Sequence, residues 1–302
     1  MATTAELERL QELDEAEDRR IARFRDHPVL AGTTRLRRDD LHALLLQRRF
    51  VSHQFTPAYD LVIDLLGDET ARRIARTILR EEYPDGSGHT PSHREDMRTD
   101  LLQLGITAEA IAASRETAAT KQNIADSFEL LRTAGAQPDA DLRLLTILRF
   151  WGEVLVSVEY TRIWEGIGPE LTAGGENRSR FYHPHLVHDA KARPLATVSL
   201  LSSTHSDRLA MRLSELLARA PSTAFFGEVE DEVVRLKSRF YDQFLPALPG
   251  DDGDAAQPPG AVVVGDVVDV EVAGDEVDDD VAVEGVVDDD AGAVGSAGAV
   301  GS

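Results

Sequence analysis

A helical bundle with no strands is the fold class that the sequence predicts, and three observations predict it. Helix-forming residues dominate positions 1 to 249, alternation of β-branched and polar residues is scarce, and Gly or Pro breakers cut the chain into pieces of helical length. Spacing and breakers together predict helices at about 4–25, 39–66, 69–83, 93–104, 116–134, 139–167, 184–192, 205–219 and 222–245. Pro28, Gly67, the Pro84–Gly88 run, Gly105, the Gly135–Pro138 run, Gly174 with Gly175, Pro194 and Pro221 separate them. Short connections between so many helices imply an all-α bundle.

Composition divides the chain in two. Residues 250–302 hold 12 Asp and 3 Glu but no Lys, Arg, His or aromatic residue, so −15 of the net charge of −22 belongs to them. Repelling charge and frequent Gly leave this stretch little to bury, and it is expected to be an acidic, disordered, low-complexity tail. Residues 1–249 are only mildly acidic and long enough to bury one core as a helical-bundle domain. Nucleic acid is not an expected partner, because phosphate contacts need clustered Lys and Arg. The first thirty residues are highly charged, and no apolar run approaches the ~18 residues a membrane span needs. The expectation is a cytoplasmic protein with no membrane partner.

The chain has no Cys, which removes thiolate nucleophiles, iron–sulfur clusters and thiolate zinc sites. Any metal must be held by imidazole and carboxylate, donors that suit iron, manganese or zinc. Six of the nine His fall after residue 88, mostly beside Asp or Glu.

Projection at 100° per residue shows which of these groups face inward. On the helix over 69–83, Ala71, Ile74, Ala75, Ile78 and Leu79 define the apolar face; Glu82 lies near its centre and Glu81 at its edge, so both are candidates. The next helix opens with Ser92-His93-Arg94-Glu95, a capping box, and places His93 in one sector with Met97, Leu101 and Leu104. His89, in the intervening Gly-rich loop, is a weaker candidate. On the long helix over 139–167, Glu159 falls inside the row Leu145, Leu148, Gly152, Val156, Ile163, whereas Glu153 follows Arg149 by four residues as surface ion pairs do. Glu159 is therefore preferred to Glu153. Arg149 and Arg162 on that helix read as solvated surface residues.

The most specific local signal is Phe181-Tyr182-His183-Pro184-His185-Leu186-Val187-His188-Asp189. His185 and Asp189, four residues apart, project from one side of a helix as a bidentate metal site requires, and His188 lies about 60° away. Carboxylates and imidazoles on apolar faces are costly unless a cation meets them. Glu82, His93, Glu159, His185 and Asp189 together nearly neutralise two ferrous ions.

A Glu at a helix end, a His about ten residues on in a stretch closing Leu101-Leu102-Gln103-Leu104-Gly105, a mid-chain Glu on a long helix and then His-x-x-x-Asp: this order resembles the haem-oxygenase-like diiron oxidases and oxygenases, over about residues 40 to 220. The resemblance implies a haem-oxygenase-like multi-helix bundle that binds Fe(II), two ions, without porphyrin and uses dioxygen as co-substrate. It implies oxidation of a small-molecule substrate, an amine, amino acid or carboxylate, by N-oxygenation or oxidative cleavage, as in natural-product biosynthesis, and a homodimer is an expected assembly. The family continues His-x-x-x-Asp-x-x-His, and the last position here is Ala192. His188 or His205 would replace the missing imidazole, with His205 slightly preferred. Thiaminase-type relatives need a Cys nucleophile, which this chain lacks. A metal-free helical scaffold or binding module is the alternative from a different class.

Overall fold

The computed structural model describes residues 3–83, 91–199 and 204–249. The expected tail over 250–302 and the loop holding His89 lie outside the described residues. Helix α1 (Thr4–Arg25) starts at a capping box of Thr3 with Glu6, and the short α2 (Pro28–Ala31) follows. The helix expected over 39–66 is two, α3 (Arg38–Ser52) and α4 (Phe55–Leu65). Pro57 explains the break: without an N–H it cannot bond the carbonyl four residues back, so a helix must restart just before it. Helices α5 (Glu69–Glu81) and α6 (His93–Gln103) fall where periodicity puts them, and α6 is capped by Ser92 and Glu95 as expected. The short α7 (Ala108–Ala113), capped by Thr107, is an element the periodicity did not suggest; α8 (Ala118–Gly135) follows it.

One helical run then passes through the middle of the bundle: α9 (Ala140–Ile147), a π-helical segment (Leu148–Val154) and α10 (Leu155–Ile167). Residues 144–157 are buried without interruption. A helix buried on all sides needs neighbours on all sides. Here α1, α4 and α8 pack on this run together with α11 (Tyr182–His188), α12 (His205–Arg219) and α13 (Ala224–Asp242).

A strandless fold was expected, but the chain between α10 and α11 makes a small antiparallel pair, β1 (Thr172–Ala173) with β2 (Glu176–Asn177). Its turn is Gly174-Gly175, with φ of 62° and 83°, the left-handed conformation a tight hairpin demands at both central positions. No helix among the described residues is long and apolar enough to cross a membrane.

Candidate metal centre

Four helix ends and one helix interior deliver the polar groups. Glu81 ends α5 and Glu82 caps it; His93 is the first residue of α6. Helix α11 carries His185 and His188 and is capped by Asp189; His205 opens α12 behind the cap Thr204. Glu153 comes from the π-helical segment and is fully buried.

The position of α11 is set by a residue that sequence reading passed over. Asp100 of α6, fully buried, accepts hydrogen bonds from Ser179 Oγ (2.6 Å) and from the backbone N–H groups of Arg180 (2.8 Å), Phe181 (3.0 Å) and Tyr182 (3.2 Å). Those amides at the start of α11 have no partner within the helix, and a carboxylate there also meets the positive end of its dipole. Asp100 falls between Met97 and Leu104 on the inward face of α6, and that placement was the available signal. Beyond the site, Lys191 ties the chain after Asp189 to α1 through Asp14 (3.2 Å), Glu17 (2.8 Å) and Asp18 (2.7 Å).

Of the sequence-derived candidates, Glu82, His93, His185, Asp189 and His205 come together, and so does His188. Ligand atoms of Glu82, His93 and His185 all lie within 4.8 Å of one another, and so do those of His188, Asp189 and His205. Glu82 Oε1 is 2.9 Å from His93 Nδ1. Asp189 Oδ1 lies 3.0 Å from His188 Nδ1 and 3.3 Å from His205 Nδ1. The imidazole centroids run His93–His185 at 4.7 Å, His185–His188 at 5.1 Å and His188–His205 at 5.2 Å, a continuous row. Glu81 and Glu82 both take part, since Glu81 Oε2 is 2.7 Å from His205 Nε2. His188 and His205 both flank Asp189, so neither excludes the other.

Glu159 does not join them. Its Oε1 accepts from Arg48 Nη2 (2.5 Å) and Lys237 Nζ (2.8 Å), and its Oε2 from the Tyr241 hydroxyl (2.7 Å). The acid on the central run that does reach the site is Glu153, whose Oε2 is 3.4 Å from His205 Nδ1 and whose Oε1 accepts from the Tyr59 hydroxyl. The physical reason is the π-helical segment. Its i→i+5 bonding advances each residue by a smaller angle than an α-helix does, so projection at α-helical spacing misplaces groups within it. Arg149 is also buried and paired with Glu17 rather than solvated, because this run is enclosed on all sides. Arg162, by contrast, sits among Glu165 and Asp26 near the surface as expected.

The donor set fits a cation. His185 Nδ1 lies 2.7 Å from the Phe181 carbonyl, which can only accept, so Nδ1 carries the proton and Nε2 keeps a free lone pair. Burial lowers the His185 pKa to about 4, so this imidazole is neutral. His93 Nδ1 and Glu153 Oε2 are buried atoms without a hydrogen-bond partner, although charged neighbours stand close to both. Buried polar atoms are rarely left so, and lone pairs converging in this way suit a coordinated ion. Electrostatics say the same. Burial and then the charge of Asp189 push the Glu153 carboxyl up. Asp189 is itself held well below the usual carboxylate range, His188 and His205 outweighing the effect of burial. Burial opposes charge on His205, but Asp189 and Glu153 override it and raise its pKa to about 11. The His93 pKa is raised too, Glu82 outweighing burial. His205 thus holds positive charge where Asp189 and Glu153 demand it.

No protein-family model matches this chain, and no curated protein does. Solved structures do. One is a TenA-family transcription regulator from Silicibacter sp. TM1040, 14% identical, with a TM-score of 0.51 over 80% of this chain and 96% of that one. Another is a TenA homolog from Pseudomonas syringae pv. tomato str. DC3000, 12% identical, with a TM-score of 0.54 over 78% of this chain and 92% of that one. The fold is haem-oxygenase-like. At these identities the likeness concerns architecture alone.

The cluster opens on a cavity of about 510 Å³, within the range of small-molecule sites. Glu82, His93, His185 and Asp189 form part of its wall, with Phe55, Val156 and Phe181 among the apolar remainder.

Proposed function

We propose that the chain is a non-haem iron enzyme that uses dioxygen to oxidise a small molecule held in this cavity. The observation that supports the reading is the meeting of two ligand triads, Glu82/His93/His185 and His188/Asp189/His205, at a cavity wall, with orphaned donor atoms among them. Glu82, His93 and His185 would hold one ferrous ion, and His188, Asp189 and His205 the other, with Glu81 and Glu153 in reach of the second. Ferrous iron there would supply the electrons that reduce dioxygen. The protein's own residues do the rest. Phe181 fixes the His185 tautomer through its carbonyl, the Tyr59 hydroxyl orients Glu153, and Asp100 aims α11. Phe55, Val156 and Phe181 keep the substrate side dry.

The test is anaerobic titration of the full chain with ferrous iron, followed by elemental analysis and by mixing with oxygenated buffer. Uptake of roughly two ions per chain and a transient absorbance on mixing are expected. Absence of iron uptake would refute the proposal. It would leave the metal-free scaffold, a reading favoured by one observation: His205 already stands among Glu81, Glu153 and Asp189.

A further inference from the structure

The cavity has a second polar end that iron binding does not use. Arg48, Lys237 and Trp151 all line it, and they are only 3%, 5% and 5% exposed. Between the two cations stands one carboxylate, Glu159, itself bonded by Arg48, Lys237 and Tyr241. The group therefore carries a surplus of one positive charge in a desolvated place. Unpartnered donors accompany the surplus. Arg48 Nη1 bonds Ser52 Oγ and Nη2 bonds Glu159, yet buried Nε has no partner. The indole Nε1 of Trp151 is buried and unpartnered as well. An ammonium has three hydrogens to donate, and among the described residues Lys237 Nζ finds one acceptor, Glu159. Desolvated cations and donors in this state call for an anion.

Tyr160 sets the distance between the two ends. Arg48 Cζ is 5.0 Å from the centre of its ring, and the His185 ring lies 5.9 Å from that same centre. Lys237 Nζ is 5.7 Å from the Trp151 ring, so the indole flanks the ammonium. A ligand reaching from the cations to the imidazole row spans about one aromatic ring and passes between apolar walls.

We propose that Arg48, Lys237 and Trp151 form a carboxylate-binding subsite, and that the substrate is a compact monocarboxylic acid whose far end reaches Glu82, His93 and His185. Assigning the bound acid as substrate rests on the iron-enzyme reading; the anion subsite stands without it. A purely cationic amine is excluded from this end by Arg48 and Lys237. Glu159 has an inverse role: it attenuates the attraction that the two cations exert on the ligand.

The test is calorimetric titration of the full chain with benzoate, phenylacetate and 3-phenylpropanoate, each beside its neutral amide, with and without ferrous iron under anaerobic conditions. At least one acid is expected to bind about tenfold or more tightly than its amide, even without iron. Lys237→Met should weaken that binding about tenfold, and Trp151→Phe, which keeps the ring but removes the donor, several-fold. Glu159→Gln should strengthen it several-fold, a gain that a merely structural role would not produce; thermal melts of each variant verify folding. Binding of no acid in the series overturns the proposal. So does equal binding of acid and amide, or an affinity indifferent to Lys237→Met and Glu159→Gln, which would put the carboxylate at the imidazole end of the cavity. Failure of iron uptake alone leaves the subsite standing and removes only the catalytic reading.

Discussion

Two groups of buried charge hang from the same central helical run, one turn apart, and they differ in the cations they contain. Around Arg149 the acids Glu17 and Asp14 meet permanent positive charge: Arg149 makes a bidentate pair with Glu17, and Lys191 closes on Glu17 and Asp14. Around Glu153 the buried acid Asp189 and the half-buried Glu82 meet imidazoles, whose protons can leave, while Glu81 at the exposed edge divides between His205 and Arg208. A guanidinium cannot give up its proton or its place, so the first group is cement. An imidazole row can exchange protons for metal, so the second is suited to be a site. The kind of buried cation, more than the number of buried acids, separates the two.

The largest expected effect breaks the first group. Arg149→Ala strands Glu17 in the core and should cost about 3–5 kcal/mol, read by urea denaturation, whereas the double change Arg149→Met with Glu17→Gln should recover much of it. Asp189→Asn sharpens the contrast: it should abolish uptake of iron at the second triad and cost the metal-free protein less stability than Arg149→Ala costs, because the imidazoles it leaves behind can release their protons. Similar losses of stability for Arg149→Ala and Asp189→Asn would erase the distinction between cement and site.

Next in size is Asp100→Ala, which leaves three backbone amides and a hydroxyl without their acceptor. A loss of about 2–3 kcal/mol is expected. Because α11 carries three of the proposed ligands, iron affinity should fall about 10–100-fold, measured by competition with a chelator.

A smaller effect concerns pH. Glu230 is buried beside Glu17; burial, then the neighbouring charge of Glu17, raises its pKa well above the ordinary 4.5. The folded state therefore holds a proton that the unfolded chain releases near pH 4.5, and stability from this group is full below that pH and declines as pH rises toward the folded pKa. Glu17 has the opposite sign: Arg149 outweighs burial and lowers its pKa to about 2, so its contribution is present above pH 4.5 and is lost as pH falls toward 2. Glu230→Gln should thus gain on the order of 1 kcal/mol over wild type at pH 8 and almost nothing at pH 4, compared by urea midpoints at the two values. A gain of equal size at both would show that Glu230 is not held protonated.

The smallest expected effect is Gly174→Ala in the hairpin turn. Its positive φ makes a side chain cost roughly 1 kcal/mol, and nothing lies within 4 Å of the added methyl, so iron binding should be unchanged.

Much of the site could be read from single helices, because an acid or imidazole on an apolar stripe is conspicuous wherever the α-helical period holds. Glu82, His93, His185 and Asp189 were found in this way, and the capping box at Ser92 marked the start of α6. Glu153 was passed over because the period fails in the π-helical segment, and Tyr59 because a buried tyrosine on a helix face looks like core. Asp100 is within the legible stripe of α6, but its partners are backbone amides some eighty residues away, and periodicity has no view of those.

The sequence by itself determined that this chain is helical, that its body can bury one core, and that any metal must be met by oxygen and nitrogen donors. Those follow from local spacing, composition and the lack of Cys. Only the tertiary structure decided which buried acids are neutralised by Arg and Lys and which face imidazoles. That choice separates Glu159 and Glu17 from Glu153 and Asp189. Partners such as Arg48, Lys237 and Lys191 come from helices and connections distant in the chain, and the charge on a buried group is set by what packing brings beside it.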